Sequence, residues 1–320
     1  MRDVRYQLHL VRRRGGETVP RAHALHEIAC VFGARLVVTD DEPARPYVVA
    51  RASSLGDALD DDAIARRALR LGYTRAVVRV APLDITHDVT LDEETARAPR
   101  AWNRVERGLP TGAWRSDGAA LELTPLVVVD DDERRVREPR VVADDARAHG
   151  AAAPSGRPPV HRRRLSTRDA RFVSNVCALA DGARVLDPFA GPGVLADALG
   201  ARALDVVRAD IDPRVLVHAS GARAVWADAR ALPFDDAVFD GVVTEPPYRA
   251  HERASVVESA GELARVVRAG GALTLLLARS LEEPMVRAIT PAFGEVTARF
   301  AIARHGLACA VVVIERHRRP

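Results

Sequence analysis

The chain has 320 residues, of which 48% are apolar and 28% charged, and its 47 basic and 44 acidic residues leave a net charge of +3. This composition excludes disorder or collagen-like repetition as a description of the whole chain, and the length suits two average domains. All basic residues other than histidine are arginines, and so small a net charge does not by itself indicate a polyanionic partner.

The apolar runs and the cysteines narrow the class of protein further. No apolar run approaches the roughly 20 residues that span a bilayer, and the N-terminus lacks the apolar core of a signal peptide. The three cysteines are widely separated, with no histidine or cysteine at metal-ligand spacing. We therefore expect a soluble, cytoplasmic protein with reduced thiols, no bound metal and no membrane contact.

Residues 4–80 alternate between β-like and helical hydrophobic patterns. The predicted order is strand, helix, strand, strand, helix, strand, which is the ferredoxin-like arrangement. The predicted elements are Tyr6–Val11, the helix Arg21–Phe32, Arg35–Thr39, Tyr47–Ala50, the helix Leu55–Leu71 and Arg75–Val80. A polar helix near Leu91–Arg107 and strands at Ala119–Leu123 and Leu126–Val129 are expected to extend this first domain to residue 148.

A segment rich in glycine, proline and alanine follows at residues 149–160 and is typical of a linker between domains. After it, residues 161–320 alternate strictly between strands and helices. The predicted strands are Arg184–Pro188, Asp205–Ile211, Ala224–Ala227, Phe239–Thr244 and Ala272–Ala278. These continuous apolar runs favour a parallel sheet with both faces covered by helices. Two last strands, Glu295–Ala303 and Leu307–Glu315, predict an antiparallel hairpin that closes the sheet.

Acidic residues stand where four successive predicted strands end: Asp187, Asp210, Asp228 and Glu245. Ligands of open α/β sheets bind at the carboxyl edge of the strands, so we expect these carboxylates to lie in one site. A neighbouring acid, Asp212, precedes Pro213 and is expected to cap the following helix. The first strand leads into the glycine turn DPFAGPG, which lacks the third glycine of the dinucleotide-binding pattern.

The turn DPFAGPG at residues 187–193, the later TEPPY at residues 244–248 and the pattern SxRxARxxxN within residues 166–175 resemble class I S-adenosylmethionine-dependent methyltransferases. They are most similar to the RNA guanine N2-methylases related to the enzyme that modifies guanosine 10 of tRNA. The resemblance covers residues 161–315 and implies a Rossmann-like catalytic domain with S-adenosyl-L-methionine as cofactor. It implies cofactor contacts at Asp187, Phe189, Gly191, Gly193, Asp210, Ile211, Asp228 and Ala229.

The EPPY motif carries the predicted chemistry. An exocyclic base amine is a poor nucleophile because its lone pair is delocalised into the ring. The Glu245 carboxylate and the Pro246 carbonyl are expected to accept the two amine hydrogens, Pro247 to stiffen the loop, and Tyr248 to stack on the base. The resembled family carries Asp or Asn at position 245, so the glutamate here moves the acceptor by about one bond length.

The first domain bears on the substrate. The resembled family places a ferredoxin-like module and an RNA-binding module called THUMP ahead of the catalytic domain, and this implies tRNA as the substrate. Arginines suited to RNA phosphate are Arg12–Arg14, Arg162, Arg163, Arg164 and Arg249. Eukaryotic relatives use a small activating partner, and the sequence does not show whether this chain needs one.

Other functions remain open at this point. DNA adenine or cytosine amino-methylation uses a similar proline motif, and methylation of a protein glutamine amide uses Asn-Pro-Pro-Tyr with a helical N-terminal module. A different class is an RNA-binding protein without catalytic activity that keeps the methyltransferase fold, with Glu245 marking the lost activity. The three intact aspartates at positions 187, 210 and 228 speak against that last possibility.

Overall fold

A computed structural model describes the chain over residues 4–11, 13–14, 17–43, 47–53, 59–82, 112–116, 119–129, 136–137, 165–216, 223–304 and 306–317. The chain forms two compact units. The N-terminal unit comprises Met1–Arg12 with Val31–Arg162, and the C-terminal unit comprises Arg13–Cys30 with Arg163–Pro320. The predicted linker at 149–160 and the predicted helix near Leu91–Arg107 lie outside the described residues.

The strands of the described residues are, in chain order, β1 (Arg5–Leu10), β2 (Arg13–Arg14), β3 (Glu17–Thr18), β4 (Leu36–Asp40), β5 (Tyr47–Ala52), β6 (Thr74–Pro82), β7 (Gly112–Ser116), β8 (Ala119–Val129), β9 (Val136–Arg137), β10 (Arg184–Asp187), β11 (Asp205–Asp210), β12 (Arg223–Trp226), β13 (Phe239–Thr244), β14 (Val267–Ala278), β15 (Gly294–Arg304) and β16 (Leu307–Arg316). The helices are α1 (Arg21–Phe32), α2 (Asp61–Ala68), α3 (Thr167–Asn175), α4 (Val194–Gly200), α5 (Pro213–Leu216), α6 (Arg253–Glu258), α7 (Ala260–Arg265) and α8 (Arg279–Phe293).

The N-terminal unit contains an antiparallel sheet with the strand order β4-β5-β1-β6-β8-β7, in which β9 also pairs with β8. The predicted helix Leu55–Leu71 is shorter than expected. It begins after Asp60, whose side chain accepts a hydrogen bond of 2.6 Å from the Ala63 amide and so caps the first turn. The two predicted strands between residues 119 and 129 form the single strand β8, and its register against β6 shifts near Pro125, which has no amide hydrogen to donate.

The C-terminal unit contains a seven-stranded sheet with the order β12-β11-β10-β13-β14-β16-β15. The first five strands of this order are parallel, and β16 runs antiparallel to both β14 and β15. The mixed α/β fold with a large, mostly parallel sheet is therefore confirmed. All five predicted parallel strands are present. The largest difference is at β14, which begins at Val267 instead of Ala272 because an irregular register lets Val267 pair with Phe239.

The core of the C-terminal unit lies where α8 packs on the sheet. Its apolar face consists of Leu281, Met285, Ile289 and Phe293, spaced four residues apart and each at most 2% exposed. Leucines and valines of β14 and β16 with no exposed surface lie in the same cluster. Burial of each such side chain stabilises the fold by about 1.5–3 kcal/mol. The strands whose ends carry polar residues are therefore held by a well-packed core.

A segment from near the N-terminus contributes to the packing of the C-terminal unit. Within this unit, His23 of α1 stacks on Phe172 of α3, and the ring of Phe300 from β15 packs edge-on against both. Beside them the buried Asn175 side chain donates a hydrogen bond of 2.8 Å to the buried carboxylate of Glu27. Residues 13–30 thus pack with the C-terminal unit, although they lie within the range predicted for the first domain.

Candidate functional site

The glycine turn after β10 places backbone without side chains at the carboxyl edge of the sheet. Gly193 has φ +87°, and a Cβ atom there would lie 2.7 Å from the buried guanidinium of Arg208. Gly191 has φ +46°, and its carbonyl accepts a hydrogen bond of 3.1 Å from Arg208 Nη2. Both positions adopt a backbone conformation that costs a residue with a side chain about 1–2 kcal/mol. The turn therefore depends on its glycines and on the arginine beneath it.

Asp187 ends β10 and is turned into the protein, with only 1% of its surface exposed. Its Oδ1 accepts hydrogen bonds from the Thr244 hydroxyl at 2.6 Å and from the Phe189 amide at 3.4 Å. Burial raises the pKa of this carboxyl to about 7, against the opposing effect of these hydrogen bonds and of Arg208. In this arrangement Asp187 fixes the start of the glycine turn to the end of β13.

Asp210 ends β11 and faces the turn. Its Oδ2 accepts a hydrogen bond of 2.8 Å from the Gly191 amide, and its Oδ1 accepts one of 2.9 Å from the Asp212 amide. A carboxylate oxygen accepts more than one hydrogen bond, so both oxygens keep capacity for a ligand's hydroxyl groups. The next residue, Ile211, is 63% exposed and offers an apolar surface beside the carboxylate. Asp212 accepts a hydrogen bond from the Arg214 amide at 3.0 Å, which confirms the predicted helix cap.

Asp228 follows β12 and is held by Arg230. The Arg230 guanidinium donates to both carboxylate oxygens at 2.7–3.1 Å, and the Arg230 amide donates to Oδ1 at 2.9 Å. These hydrogen bonds lower the pKa of Asp228 below its usual value. The Asp228 side chain is therefore ionised and fixed in place next to Ala229. Arg230 is a residue of this site that was not predicted from the sequence.

The EPPY loop after β13 carries a cluster of polar side chains. The Tyr248 hydroxyl donates a hydrogen bond of 2.6 Å to Glu245 Oε1, and the same Oε1 forms an ion pair with Nη1 of Arg304. Nη1 of Arg304 also donates to the Tyr248 oxygen at 2.7 Å. Arg304 lies at the end of β15, and nothing in its sequence context distinguishes it from the many other arginines. It is the main residue of this site that was not predicted.

A cleft of about 460 Å³ joins these strand ends, a volume within the range of small-molecule sites. Eight of the predicted site residues line it: Phe189, Gly191, Asp210, Ile211, Asp228, Ala229, Glu245 and Pro247. The other lining residues are Pro188, Asp212, Arg230, Glu252, Ser255 and Val256. Four predicted site residues do not line it, namely Asp187, Gly193, Pro246 and Tyr248. Most of the wall was therefore predicted from the sequence, and α6 supplies a part of it that was not predicted.

The remaining predicted residues lie outside the cleft. Arg249 is exposed beyond the EPPY loop. Arg12 and Arg162–Arg164 lie outside the described residues, and the side chains of Arg13 and Arg14 are not among those described. Within the part of the chain that the structure describes, no group of three histidine, cysteine, aspartate or glutamate side chains is arranged to hold a metal ion. In the same part of the chain, no helix is both long and apolar enough to cross a membrane.

Comparison with known proteins identifies a methyltransferase domain within this unit. Residues 186–275 match a family model described as a methyltransferase domain. A tRNA (guanine(10)-N2)-dimethyltransferase of Methanothermobacter thermautotrophicus is 36% identical over 106 residues, covering 30% of this chain and 31% of that protein. The chain therefore spans about a third of the length of this curated relative. The crystal structure of TrmN from Thermus thermophilus matches with a TM-score of 0.52 and 17% identity, covering 98% of this chain and 99% of that one.

The cleft residues fit S-adenosylmethionine. Asp210 presents acceptors suited to two ribose hydroxyls, Ile211 offers an apolar surface suited to a purine, and the glycine turn permits close approach of a flexible chain. The fixed carboxylate of Asp228 lies at the next strand end, beside Ala229. Taken together, the sheet order, the cleft and the family match show that the C-terminal unit contains, at residues 186–275, a methyltransferase domain of the class I type with S-adenosylmethionine as its cofactor, which resembles the tRNA guanine N2-methyltransferases.

Proposed function

We propose that the chain transfers a methyl group from S-adenosylmethionine to the exocyclic amine of a guanine in RNA, with tRNA as the substrate. The observation that carries this proposal is the position of Glu245, whose carboxylate lines the same cleft as Asp210 and Asp228. A hydrogen-bond acceptor at the cofactor cleft, on a loop stiffened by two prolines, is what an amine needs in order to be oriented for attack.

Three residues of the EPPY loop have distinct proposed tasks. When bound, S-adenosylmethionine supplies a methyl group activated by the positive sulfur. Glu245 accepts one amine hydrogen and the Pro246 carbonyl the other, which localises the nitrogen lone pair toward the methyl group. The amine nitrogen would gain a bond to the methyl carbon as the carbon–sulfur bond breaks and its electron pair stays on the sulfur. The nitrogen would lose one proton, which Glu245 is placed to receive. Pro247 lines the cleft and limits the motion of the loop.

The surface beside the cleft suits a polyanion. Arg249 and Arg253 are exposed, with the exposed His251 between them, and no ion pair of either arginine is found among the described residues. Other exposed arginines of this unit are paired, such as Arg214 with Asp212 and Arg287 with Glu283. Two such guanidinium groups beside a base-binding cleft suit the phosphates that flank a target nucleotide.

The choice of tRNA rests on the relative from Methanothermobacter, whose name gives guanine 10 of tRNA as its target. The proposed roles of the site residues, and of the N-terminal unit as a THUMP-like RNA-binding module, extend that likeness to this chain. The cytoplasmic location and an activating partner subunit also remain predictions.

The test is transfer of tritium from labelled S-adenosylmethionine to unmodified tRNA transcripts, with duplex DNA and bulk protein in parallel. We expect label in tRNA, identified as methylguanosine by nucleoside mass spectrometry. Glu245→Ala should keep cofactor binding and lose transfer. Glu283→Ala, an exposed carboxylate paired with Arg287, is the matched control and should keep both.

Each other outcome assigns a different function. Label in DNA alone would indicate an amino-methyltransferase of DNA bases, and label in protein alone would indicate amide methylation. Cofactor binding without transfer to any substrate, with or without a partner subunit, would indicate an RNA-binding protein that has lost catalysis.

A further inference from the structure

The Glu245 carboxylate is held in a closed triangle of three polar groups. The Tyr248 hydroxyl donates to Glu245 Oε1 at 2.6 Å and accepts a hydrogen bond of 2.7 Å from Arg304 Nη1. The third side is the ion pair between Arg304 Nη1 and Glu245 Oε1. Both contacts of the carboxylate within the triangle use Oε1. The second oxygen, Oε2, is thus the one left to accept a hydrogen bond from a ligand in the cleft that Glu245 lines.

Arg304 is itself fixed from several sides. Its side chain is only 4% exposed, its Nε lies 3.9 Å from Oδ2 of the equally buried Asp169, and its guanidinium lies over the Tyr248 ring at 5.5 Å. Burial raises the pKa of the Tyr248 phenol above its usual range, so the hydroxyl keeps its hydrogen and donates it to Glu245. Asp169 belongs to α3 and Arg304 to β15, so the loop is held by elements outside the EPPY motif.

We propose that Arg304 is a positioning residue for methyl transfer, which holds Oε1 of Glu245 so that Oε2 is aimed at the amine of the substrate. This inference rests on the proposed function. Glutamate has one more rotatable bond than the Asp or Asn of the resembled family, and that freedom would spread the acceptor over several positions. The Arg304 guanidinium and the Tyr248 phenol both contact Oε1 of Glu245 and so remove this freedom. This explains how the longer side chain can orient the substrate amine from position 245.

The first experiment measures kcat and KM for Arg304→Met and Arg304→Lys with tRNA as substrate. Misplacement of an acceptor by about 1 Å costs about 100-fold in rate, so we expect Arg304→Met to lower kcat by about that factor. Arg304→Lys keeps the charge but not the planar fork, and we expect it to recover part of the rate. Affinity for S-adenosylmethionine should change less than about twofold in both, because Arg304 does not line the cleft.

The matched control is Arg299→Met. Arg299 lies on the same strand and forms an ion pair of 2.7 Å with Glu282, so it reports the cost of removing an ion pair from β15. We expect its kcat to equal that of the unaltered protein. Loss of kcat of the same size in Arg299→Met, or full kcat in a folded Arg304→Met protein, would overturn the proposal.

A second readout separates positioning from mere support of the fold. If Arg304 acts through Glu245, then Arg304→Met should lower kcat no further in a protein that already carries Glu245→Gln. A purely structural arginine would lower the residual rate, or the folded fraction, by the same factor in both backgrounds. Equal factors in the two backgrounds would therefore contradict the inference.

Failure of the proposed function is recognised separately, because the unaltered protein would then transfer no label to RNA. In that case crystal structures of the unaltered protein and of Arg304→Lys with bound cofactor test the arrangement directly. We expect Glu245 to keep one side-chain conformation in the former and to move or become multiple in the latter. An unchanged Glu245 in the variant would overturn the positioning role whatever the substrate is.

Discussion

The hydroxyl of Thr244 donates a hydrogen bond of 2.6 Å to the carboxyl group of Asp187, where the neighbouring parallel strands β10 and β13 both end. The bond ties the glycine turn to the residue that precedes the EPPY motif. Two motifs that lie 57 residues apart in the sequence therefore share one buried anchor. Because the anchor contains a titratable group, it makes the stability of the domain depend on pH.

Substitution Asp187→Asn should flatten part of the pH dependence of unfolding. The folded protein keeps the Asp187 proton up to about pH 7, whereas the ordinary pKa of an aspartate is 3.8. Between these values the folded state binds one more proton than the unfolded state, so the free energy of unfolding falls as pH rises and is level above pH 7. The pKa difference of about 3 corresponds to at most about 4 kcal/mol. Urea unfolding of both proteins at pH 5 and pH 8 measures this difference in the free energy of unfolding. An equal change between the two pH values in both proteins would refute the prediction.

The two glycines of the turn should differ in their tolerance of alanine. A Cβ at Gly191 meets nothing within 4 Å, so Gly191→Ala costs only backbone strain of about 1–2 kcal/mol. Gly193→Ala adds a contact of 2.7 Å with the buried Arg208 guanidinium and should cost about 1–3 kcal/mol more. Chemical unfolding of both variants measures the difference. A Gly193→Ala protein as stable as Gly191→Ala would show that Arg208 moves aside easily.

Cofactor affinity should depend on the carboxylate at one end of β11 and not on the carboxylate at the other end. Asp210→Ala removes the proposed ribose acceptor and leaves the Gly191 amide without its partner, so we expect the Kd for S-adenosylmethionine to rise at least about 100-fold. Asp205→Ala, at the opposite end of the strand, should leave the Kd unchanged. Calorimetric titration of both variants is the measurement. Equal Kd values for the two variants would show that Asp210 does not bind the cofactor.

Trp226 should report cofactor binding. Its indole is 71% exposed and donates a hydrogen bond of 3.0 Å to the carbonyl of Ile211, which lines the cleft. Ordering of Ile211 by the cofactor should therefore change the Trp226 emission. The change should saturate with added S-adenosylmethionine and disappear in Trp226→Phe, while calorimetry still detects binding. A binding-dependent signal that persists in Trp226→Phe would have to come from another tryptophan.

The exposed Arg249 and Arg253 beside the cleft should contribute to the salt dependence of RNA binding. Loss of two phosphate contacts in the double variant Arg249→Ala with Arg253→Ala should lower the magnitude of the slope of log K against log salt by about 1.4–1.8. The matched control is Arg287→Ala, which removes an exposed arginine already paired with Glu283 and should leave the slope unchanged. Filter binding of tRNA between about 50 and about 200 mM salt gives the slopes. Identical slopes for the unaltered protein, the double variant and Arg287→Ala would show that Arg249 and Arg253 do not contact RNA phosphates.

The strand-end carboxylates could be predicted from the sequence because their placement follows from one rule of parallel sheets. Apolar runs buried on both faces identify the strands, and the residue after each run must lie at the same edge. Thus Asp210, Asp228 and Glu245 meet in the cleft as expected. The expected helix cap at Asp212 is equally local and is also confirmed.

The rest of the site depends on contacts that no local pattern records. Arg304 reaches Glu245 from a hairpin that follows it by 59 positions, and Arg230 holds Asp228 in a chain whose arginines are too common to be informative. The inward turn of Asp187 depends on the Thr244 hydroxyl of a neighbouring strand. Such pairings are set by tertiary packing, so they become visible only in three dimensions.

Helix α1 has a consequence for how this protein can be divided. Residues 13–30 pack with the C-terminal unit, where His23 and Glu27 contact Phe172, Phe300 and Asn175. A fragment that begins at residue 161 would lack residues 13–30, and its aromatic face and the Asn175 amide would be exposed to water. The methyltransferase domain is therefore not independent of the first 30 residues: exchanging it between relatives by recombination within residues 149–160 would separate it from residues that pack in its own interior.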